Sequence, residues 1–246
     1  MNYHSEQVIE LNNCAALHIE SGDFDEAVLE LTEALHQFRL MKRPLFSSST
    51  NVDCDSSKNV SHLSLFLNDD DDDDEDVKAL IHDTDDGEDS EELFVYRHPI
   101  RIERNPNEIP ELGHTTSTFL SFSVIFNMAI CYHLQASCCE KEHKEDTEEG
   151  QFLLEKSKHL YELGYRLLRS EDFSFSIRIS LALTNNLGQV LKNLQEHQKA
   201  DLCFERLLST VMFLMDCGAD DELYEIDGFI RNTLYLVLKK PAASAA

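Results

Sequence analysis

The chain is poor in basic residues, in glycine and in tryptophan. Its 246 residues include 21 Lys and Arg against 47 Asp and Glu, which gives a formal net charge of -26, and it contains no Trp. Nucleic acids and anionic membranes are bound through clustered Lys and Arg, so this shortage disfavours both as direct partners. By the same argument, the charge favours basic protein partners.

Sequence motifs that carry catalysis or metal binding are also missing. The eight glycines are dispersed, so no phosphate-binding loop is present, and neither G-x-S-x-G nor C-x-x-C occurs. The eleven His residues lack the paired spacing of metal ligands. The stretch DTDDG from Asp83 is not an EF-hand, because Phe94 stands where a bidentate Glu is needed. We therefore expect a protein that is not an enzyme and needs no cofactor or metal.

Targeting segments and long hydrophobic runs are not apparent either. The first ten residues, MNYHSEQVIE, have neither the basic start nor the apolar run of a signal peptide. The most apolar stretch, 119–131, is shorter than the roughly 20 residues of a membrane span. Seven cysteines in irregular spacing are typical of reduced thiols. These features predict a cytoplasmic or nuclear protein.

The negative charge is concentrated in one segment. Between Asp69 and Glu92 there are 15 acidic residues and only Lys78 to oppose them. Such a run repels itself and cannot pack, so we expect a disordered, solvated insertion. It is followed by LFVYRHPIRI at 93–102, where β-forming residues are split by Pro99. This composition predicts either a short β hairpin or an extended segment that lies on the helices.

The rest of the chain shows helical periodicity. Two helices separated at Gly22 are predicted between Ser5 and Leu40. The later predicted helices span Thr116–Cys139, Phe152–Arg169, Ile177–Leu194, Gln198–Cys217 and Glu222–Lys239. The first six helices form three antiparallel pairs, and the last is suited to cover the exposed end of a stack.

The paired helices share a pattern of small and bulky residues. The first pair has Ala15, His18, Ala27, Leu31 and Ala34, and the third has Gly188, Leu191, Ala200, Phe204 and Leu207 at the same offsets. Small residues allow helix backbones to approach closely, and bulky residues fill the neighbouring holes. Self-similarity of this kind is typical of stacked helical repeats, whose usual role is to bind another protein.

This pattern resembles the tetratricopeptide repeat family. NNLGQVL (185–191) with KADLCFERLL (199–208) is similar to the family pattern N-L-G-x-x-Y followed by A-x-x-x-F-x-x-A, and Leu191 and Leu207 depart from it. GDFDEAVLELTEAL (22–35) matches the second half, while FNMAICY (126–132) begins a degenerate middle unit. The resemblance implies an all-α, superhelical stack of about three helical hairpins with a C-terminal capping helix.

The predicted organisation has three parts. Residues 1–40 form the first hairpin, 41–113 the acidic insertion with its β-like segment, and 114–246 the other two hairpins, the capping helix and a loose tail. In tetratricopeptide proteins the first helices of the hairpins build a concave groove. Carried over to this chain, the groove residues are Ile9, Asn12, Ala16, Ile19, Ser123, Phe126, Ile130, His133, Asn185, Gln189, Lys192 and Asn193.

The mixture of amides with Phe126 and Ile130 suits an extended peptide or a helix anchored by an apolar side chain. The alternative is that both residues are core beneath the insertion or beneath a neighbouring helix. We expect an adaptor or scaffold that binds a protein or peptide partner, whose identity the sequence does not give. Two other hypotheses stay open: an acidic chaperone-like protein that binds basic clients through Asp69–Glu92, and a repeat that associates with itself.

Overall fold

The structure is a computed structural model that describes residues 3–41, 94–103, 114–143, 148–169, 177–217 and 226–239. They belong to one compact unit formed by Met1–Pro44 and Leu93–Ala246. The expectation of disorder between Asp69 and Glu92 falls outside the described residues.

The described residues form seven helices and no strand, so the all-α class is confirmed for them. The helices are α1 Tyr3–Ser21, α2 Phe24–Met41, α3 His114–His143, α4 Glu148–Leu168, α5 Ile177–Asn193, α6 His197–Asp216 and α7 Ile226–Lys239. The segment 94–103 contains neither helix nor strand, so the predicted β hairpin is not found in it. The tetratricopeptide-like arrangement of the helices stays a prediction.

The helices pack in the order in which they occur in the chain. α1 packs on α2, α3 on α4 and α5 on α6, and these pairs contact one another through α2 with α3 and α4 with α5. α7 packs against α6.

Two of the hairpin turns have the same backbone geometry. Gly22 has φ +86° after α1, and the Asp23 N–H donates to the His18 carbonyl at 2.8 Å. After α5, Gln195 has φ 62°, and the Glu196 N–H donates to the Leu191 carbonyl at 2.8 Å. Both are left-handed caps that satisfy the last free carbonyls of a helix, and this conformation favours glycine.

The small residues of the repeat pattern lie where helices meet. Ala15, Ala27 and Ala200 are buried. The bulky residues of the same pattern are buried too, except His18, which is half-buried. A Cβ atom added at Gly188 would lie 2.9 Å from Cε1 of Phe204, which is closer than carbon atoms pack. The core is therefore built by close approach of backbones, as the pattern predicts.

One described helical stretch, Ser117–Cys139 of α3, is long and apolar enough to cross a membrane by length and composition, with a mean hydropathy of 1.3. In the fold, 72% of the tested window is buried against the protein. The buried core helix of a folded protein shares this length and composition.

Candidate functional site

The helices α1, α3, α5 and α7 share a face on which residues 94–102 lie; we call it the first-helix face and its occupant the docked segment. The docked segment crosses α7, α5, α3 and α1 in that order, opposite to the order of the helices in the chain. Seven carboxamide side chains meet it. This carboxamide cluster consists of Asn12, Asn13, Asn127, Asn185, Asn186, Gln189 and Asn232.

At the start of the docked segment, two asparagines each bind both backbone groups of one residue. The Phe94 N–H donates to Oδ1 of Asn232 at 2.8 Å, and Nδ2 of Asn232 donates to the Phe94 carbonyl at 2.7 Å. Asn186 binds Tyr96 in the same way, with both distances at 2.9 Å. Two-point contact of this kind fixes the direction and the register of the bound chain.

The pattern repeats at the other end of the docked segment. Asn127 accepts from the Ile100 N–H at 2.7 Å and donates to the Ile100 carbonyl at 2.9 Å. Asn13 accepts from the Ile102 N–H at 2.8 Å and donates to its carbonyl at 3.0 Å. Nδ2 of Asn12 also donates to the Ile100 carbonyl, while its Oδ1 accepts from Asn127. The two carboxamides therefore hold each other in place.

The Phe94 carbonyl is the most heavily bonded group of the site. It accepts from Asn185 at 3.0 Å and from Gln189 at 2.6 Å, in addition to its bond from Asn232. Nδ2 of Asn232 also donates to Oδ1 of Asn185 at 2.6 Å. All three carboxamides are buried, where unsatisfied amides would be costly, so the cluster requires backbone groups or water as partners.

Aromatic packing defines where the first side chains of the docked segment sit. The Tyr96 ring is buried, stacks on Phe229 with centroids 6.3 Å apart, and lies 6.4 Å from Phe126. Phe94 meets Phe229 edge-on at 5.5 Å. Gly228 lies directly against the Phe94 ring, since an added Cβ would lie 2.5 Å from Cγ of that ring. Only glycine leaves room for the ring at this position of α7.

Polar residues of the docked segment point to solvent. Arg97, His98 and Arg101 are exposed, and Arg101 forms an ion pair with Glu20 of α1. The ion pair is half-exposed, so its contribution to stability is small. Through this ion pair Arg101, the eighth residue counted from Phe94, has an acidic neighbour.

A buried histidine lies on the same helix as Asn127. His133 is 1% exposed, its ring meets Tyr161 edge-on at 6.1 Å, and neither of its nitrogens has a hydrogen-bond partner among the described residues. Burial, and to a smaller extent the charge of Arg97, lower the pKa of His133 to about 4. His133 is therefore neutral at physiological pH. The hydroxyl of Tyr161 accepts a hydrogen bond from Asn186, which connects this pair to the cluster.

The twelve residues predicted to line the groove divide into three groups. Asn12, Asn185 and Gln189 bind the docked segment, and Phe126 packs against Tyr96. Lys192 is half-buried and Asn193 is exposed. The remaining six are buried: Ile9, Ala16, Ile19, Ser123, Ile130 and His133. Their binding of an external partner stays a prediction.

The prediction missed the four asparagines that make the two-point contacts. Three of them stand two positions before the small residue of each repeat, with Asn13 before Ala15, Asn127 before Ala129 and Asn186 before Gly188. This regular placement is a signal that the sequence contains. Asn232 lies in α7, outside the repeat pattern, so no such alignment points to it.

In the part of the chain that the structure describes, no group of three or more His, Cys, Asp or Glu residues is placed to hold a metal ion. Comparison of the chain with protein-family models, with curated proteins and with solved structures finds no match.

Proposed function

We propose that the protein is a non-enzymatic adaptor of the tetratricopeptide type, which binds an extended segment of another protein on the first-helix face. The observation that supports this most is the set of four two-point contacts from Asn13, Asn127, Asn186 and Asn232 to a peptide backbone. Main-chain hydrogen bonds of this kind supply affinity for a strand-like ligand, and neighbouring pockets supply specificity.

The packing of the helices supports the family assignment within this proposal. Three helical hairpins follow one another and α7 covers the last, which is the arrangement that a capped helical repeat requires. The small residues that the family pattern places between helices, such as Ala27 and Ala200, are buried here.

The net charge of the chain supports a basic ligand. At -26 the protein repels acidic segments and attracts segments with Lys or Arg. Glu20 beside Arg101 is a local example of such a pairing at the edge of the face.

The experiment that tests this function is a peptide-library selection against the full chain. Because the docked segment occupies the face, the bait carries Phe94→Ser and Tyr96→Ser, which remove its two aromatic anchors. We expect selected peptides to bind the bait and to lose about tenfold in affinity or more when Asn127→Ala is added, since both hydrogen bonds from Asn127 to the bound backbone are lost.

The matched control for that selection is Gln151→Ala, an exposed carboxamide of α4 that lies outside the first-helix face. Peptides that depend on Asn127 and not on Gln151 would support the function. A folded bait that selects no peptide, or peptides indifferent to Asn127→Ala, would contradict it.

A further inference from the structure

Building on the proposed function, we propose that the docked segment is an exchangeable internal ligand and that the partner's peptide has the same chemistry. Counted from Phe94, that peptide is extended, with aromatic residues at positions 1 and 3, aliphatic residues at 7 and 9 and a basic residue at 8. The partner binds by replacing residues 94–102, which otherwise keep the face closed.

The hydrogen bonds to the docked segment do not depend on most of the side chains of the ligand. Each of Asn13, Asn127, Asn186 and Asn232 binds a main-chain N–H and a main-chain carbonyl. Every extended peptide offers these groups at alternate residues, whatever its side chains, provided that none of the contacted residues is proline. Another peptide in the same register can therefore make all eight bonds.

The environment of the side chains restricts which residues the ligand can have at a few positions. Positions 1 and 3 meet Phe229, and position 1 also fills the space above Gly228. Ile100 and Ile102, at positions 7 and 9, pack partly buried against the core. Flat or apolar side chains fit these places, while a charged side chain would be desolvated without a partner.

The charge of the protein restricts the ligand at position 8. Position 8 is occupied by Arg101, whose guanidinium pairs with Glu20 of α1. Position 4 is Arg97, which is exposed. A partner with an acidic residue at position 8 would face Glu20 and the net charge of -26 of the chain, so it is disfavoured.

The docked segment can be replaced without breaking a helix. It is itself neither helix nor strand, and the backbone hydrogen bonds of Phe94, Tyr96, Ile100 and Ile102 described above all go to side chains. No helical bond has to open when it leaves. As a covalently attached ligand, the docked segment competes with a partner peptide at an effective concentration of roughly millimolar. The apparent affinity of the protein for that peptide is therefore reduced.

The test on the unaltered protein is native-state hydrogen exchange. We expect the amides of Phe94, Tyr96, Ile100 and Ile102 to exchange through a local opening, at least about tenfold faster than the slowest amides of α3 and α5, without the denaturant dependence of global unfolding. Exchange of all four amides only through global unfolding would overturn the proposal, because the docked segment would then be a permanent part of the fold.

The second measurement uses a labelled peptide, FVYRHPIRIE, which is the sequence of 94–103. We expect it to bind the Phe94→Ser, Tyr96→Ser protein about tenfold or more tightly than the wild type, because the internal competitor is weakened. The same peptide with Ser in place of its Tyr should bind about tenfold more weakly, since one buried ring is lost.

The possible outcomes separate the two proposals. Equal affinity for wild type and variant overturns displacement while the adaptor function stands. Binding to neither protein, with the variant folded by circular dichroism, contradicts both. If the variant does not fold, the hydrogen-exchange rates of the four amides in the wild type test the displacement proposal. A mass that doubles with concentration in light scattering, and that the labelled peptide reverses, would assign the face to a second copy of this chain and overturn the partner proposal.

Discussion

The carboxamide of Asn127 forms both backbone hydrogen bonds of Ile100, at 2.7 Å from the N–H and at 2.9 Å to the carbonyl. In a β-sheet these two bonds would go to a neighbouring strand. Here a helix supplies them through a side chain. This explains why a segment rich in β-forming residues contains no strand: its extended backbone is satisfied without one.

Replacement of Asn186 should be strongly destabilising. Asn186→Ala removes the two hydrogen bonds to the N–H and the carbonyl of Tyr96, and it also removes a bond to the hydroxyl of Tyr161. Leaving buried polar groups unsatisfied costs about 1–3 kcal/mol each, so we expect a loss of about 2–4 kcal/mol after partial hydration. Urea unfolding of the full chain measures it.

The control for that prediction is Asn193→Ala on the same helix, because Asn193 is exposed. We expect it to change the free energy of unfolding by less than about 0.5 kcal/mol. Equal losses for the two variants would show that the Asn186 contacts contribute nothing specific.

Addition of one methyl group at Gly228 should loosen the docked segment. In Gly228→Ala the new Cβ would lie 2.5 Å from Cγ of Phe94, so the ring must move. Overpacking of this kind costs about 1–3 kcal/mol, which corresponds to a rise of about 5-fold to 150-fold in the exposed fraction of the segment. Trypsin cleavage after Arg97 and Arg101, followed by mass spectrometry, reports this exposure.

Gly164→Ala is the matched control for Gly228→Ala. It is also a buried helical glycine, but its added Cβ would lie 3.4 Å from Leu183 and Phe122, which is ordinary contact. Helix propensity favours alanine by about 1 kcal/mol, so we expect unchanged cleavage and an equal or higher stability. Faster cleavage in both variants would mean that the effect does not arise at Phe94.

Burial of His133 should make stability depend on pH. Its pKa is about 4 in the folded protein and about 6.5 in an unfolded chain, so between these values the unfolded state binds the extra proton. Stability therefore falls as the pH falls through this window. From about pH 7 to about pH 5 we expect His133 to account for a loss of about 2 kcal/mol.

Urea unfolding of wild type and of His133→Leu at both pH values isolates this contribution, because the other groups titrate in both proteins. The wild type should lose about 2 kcal/mol more than the variant. Identical losses would mean that His133 is protonated as easily in the folded protein as in the unfolded chain.

The two left-handed caps should respond in opposite directions to exchange of their residues. Gln195→Gly removes the steric cost of φ 62° for a residue with a Cβ, and we expect a gain of about 1 kcal/mol. Gly22→Gln introduces that cost at φ +86°, where a Cβ has no neighbour within 4 Å, so the loss reflects the backbone alone. Thermal unfolding measures both, and a shift of the same sign in both would contradict the assignment of these caps.

The sequence by itself determined the helices of the described residues and the small residues at which helices approach closely. Periodicity is a local property, and so is the alternation of small and bulky residues around Ala27 and Ala200, which allows backbones to approach closely. The resemblance to tetratricopeptide repeats placed Asn12, Asn185 and Gln189 on one face, and in the structure all three bind the docked segment.

Only the tertiary structure decided what lies on that face. Asn232 and Phe94 are 138 positions apart, and Asn13 and Ile102 are 89 apart, so no local pattern relates them. Side-chain amides bind any backbone that reaches them in an extended form, and the sequence of the amides does not specify which backbone that is. The fold brought residues 94–102 across four helices, and their main chain supplied the partners that seven carboxamides needed once the helices had packed.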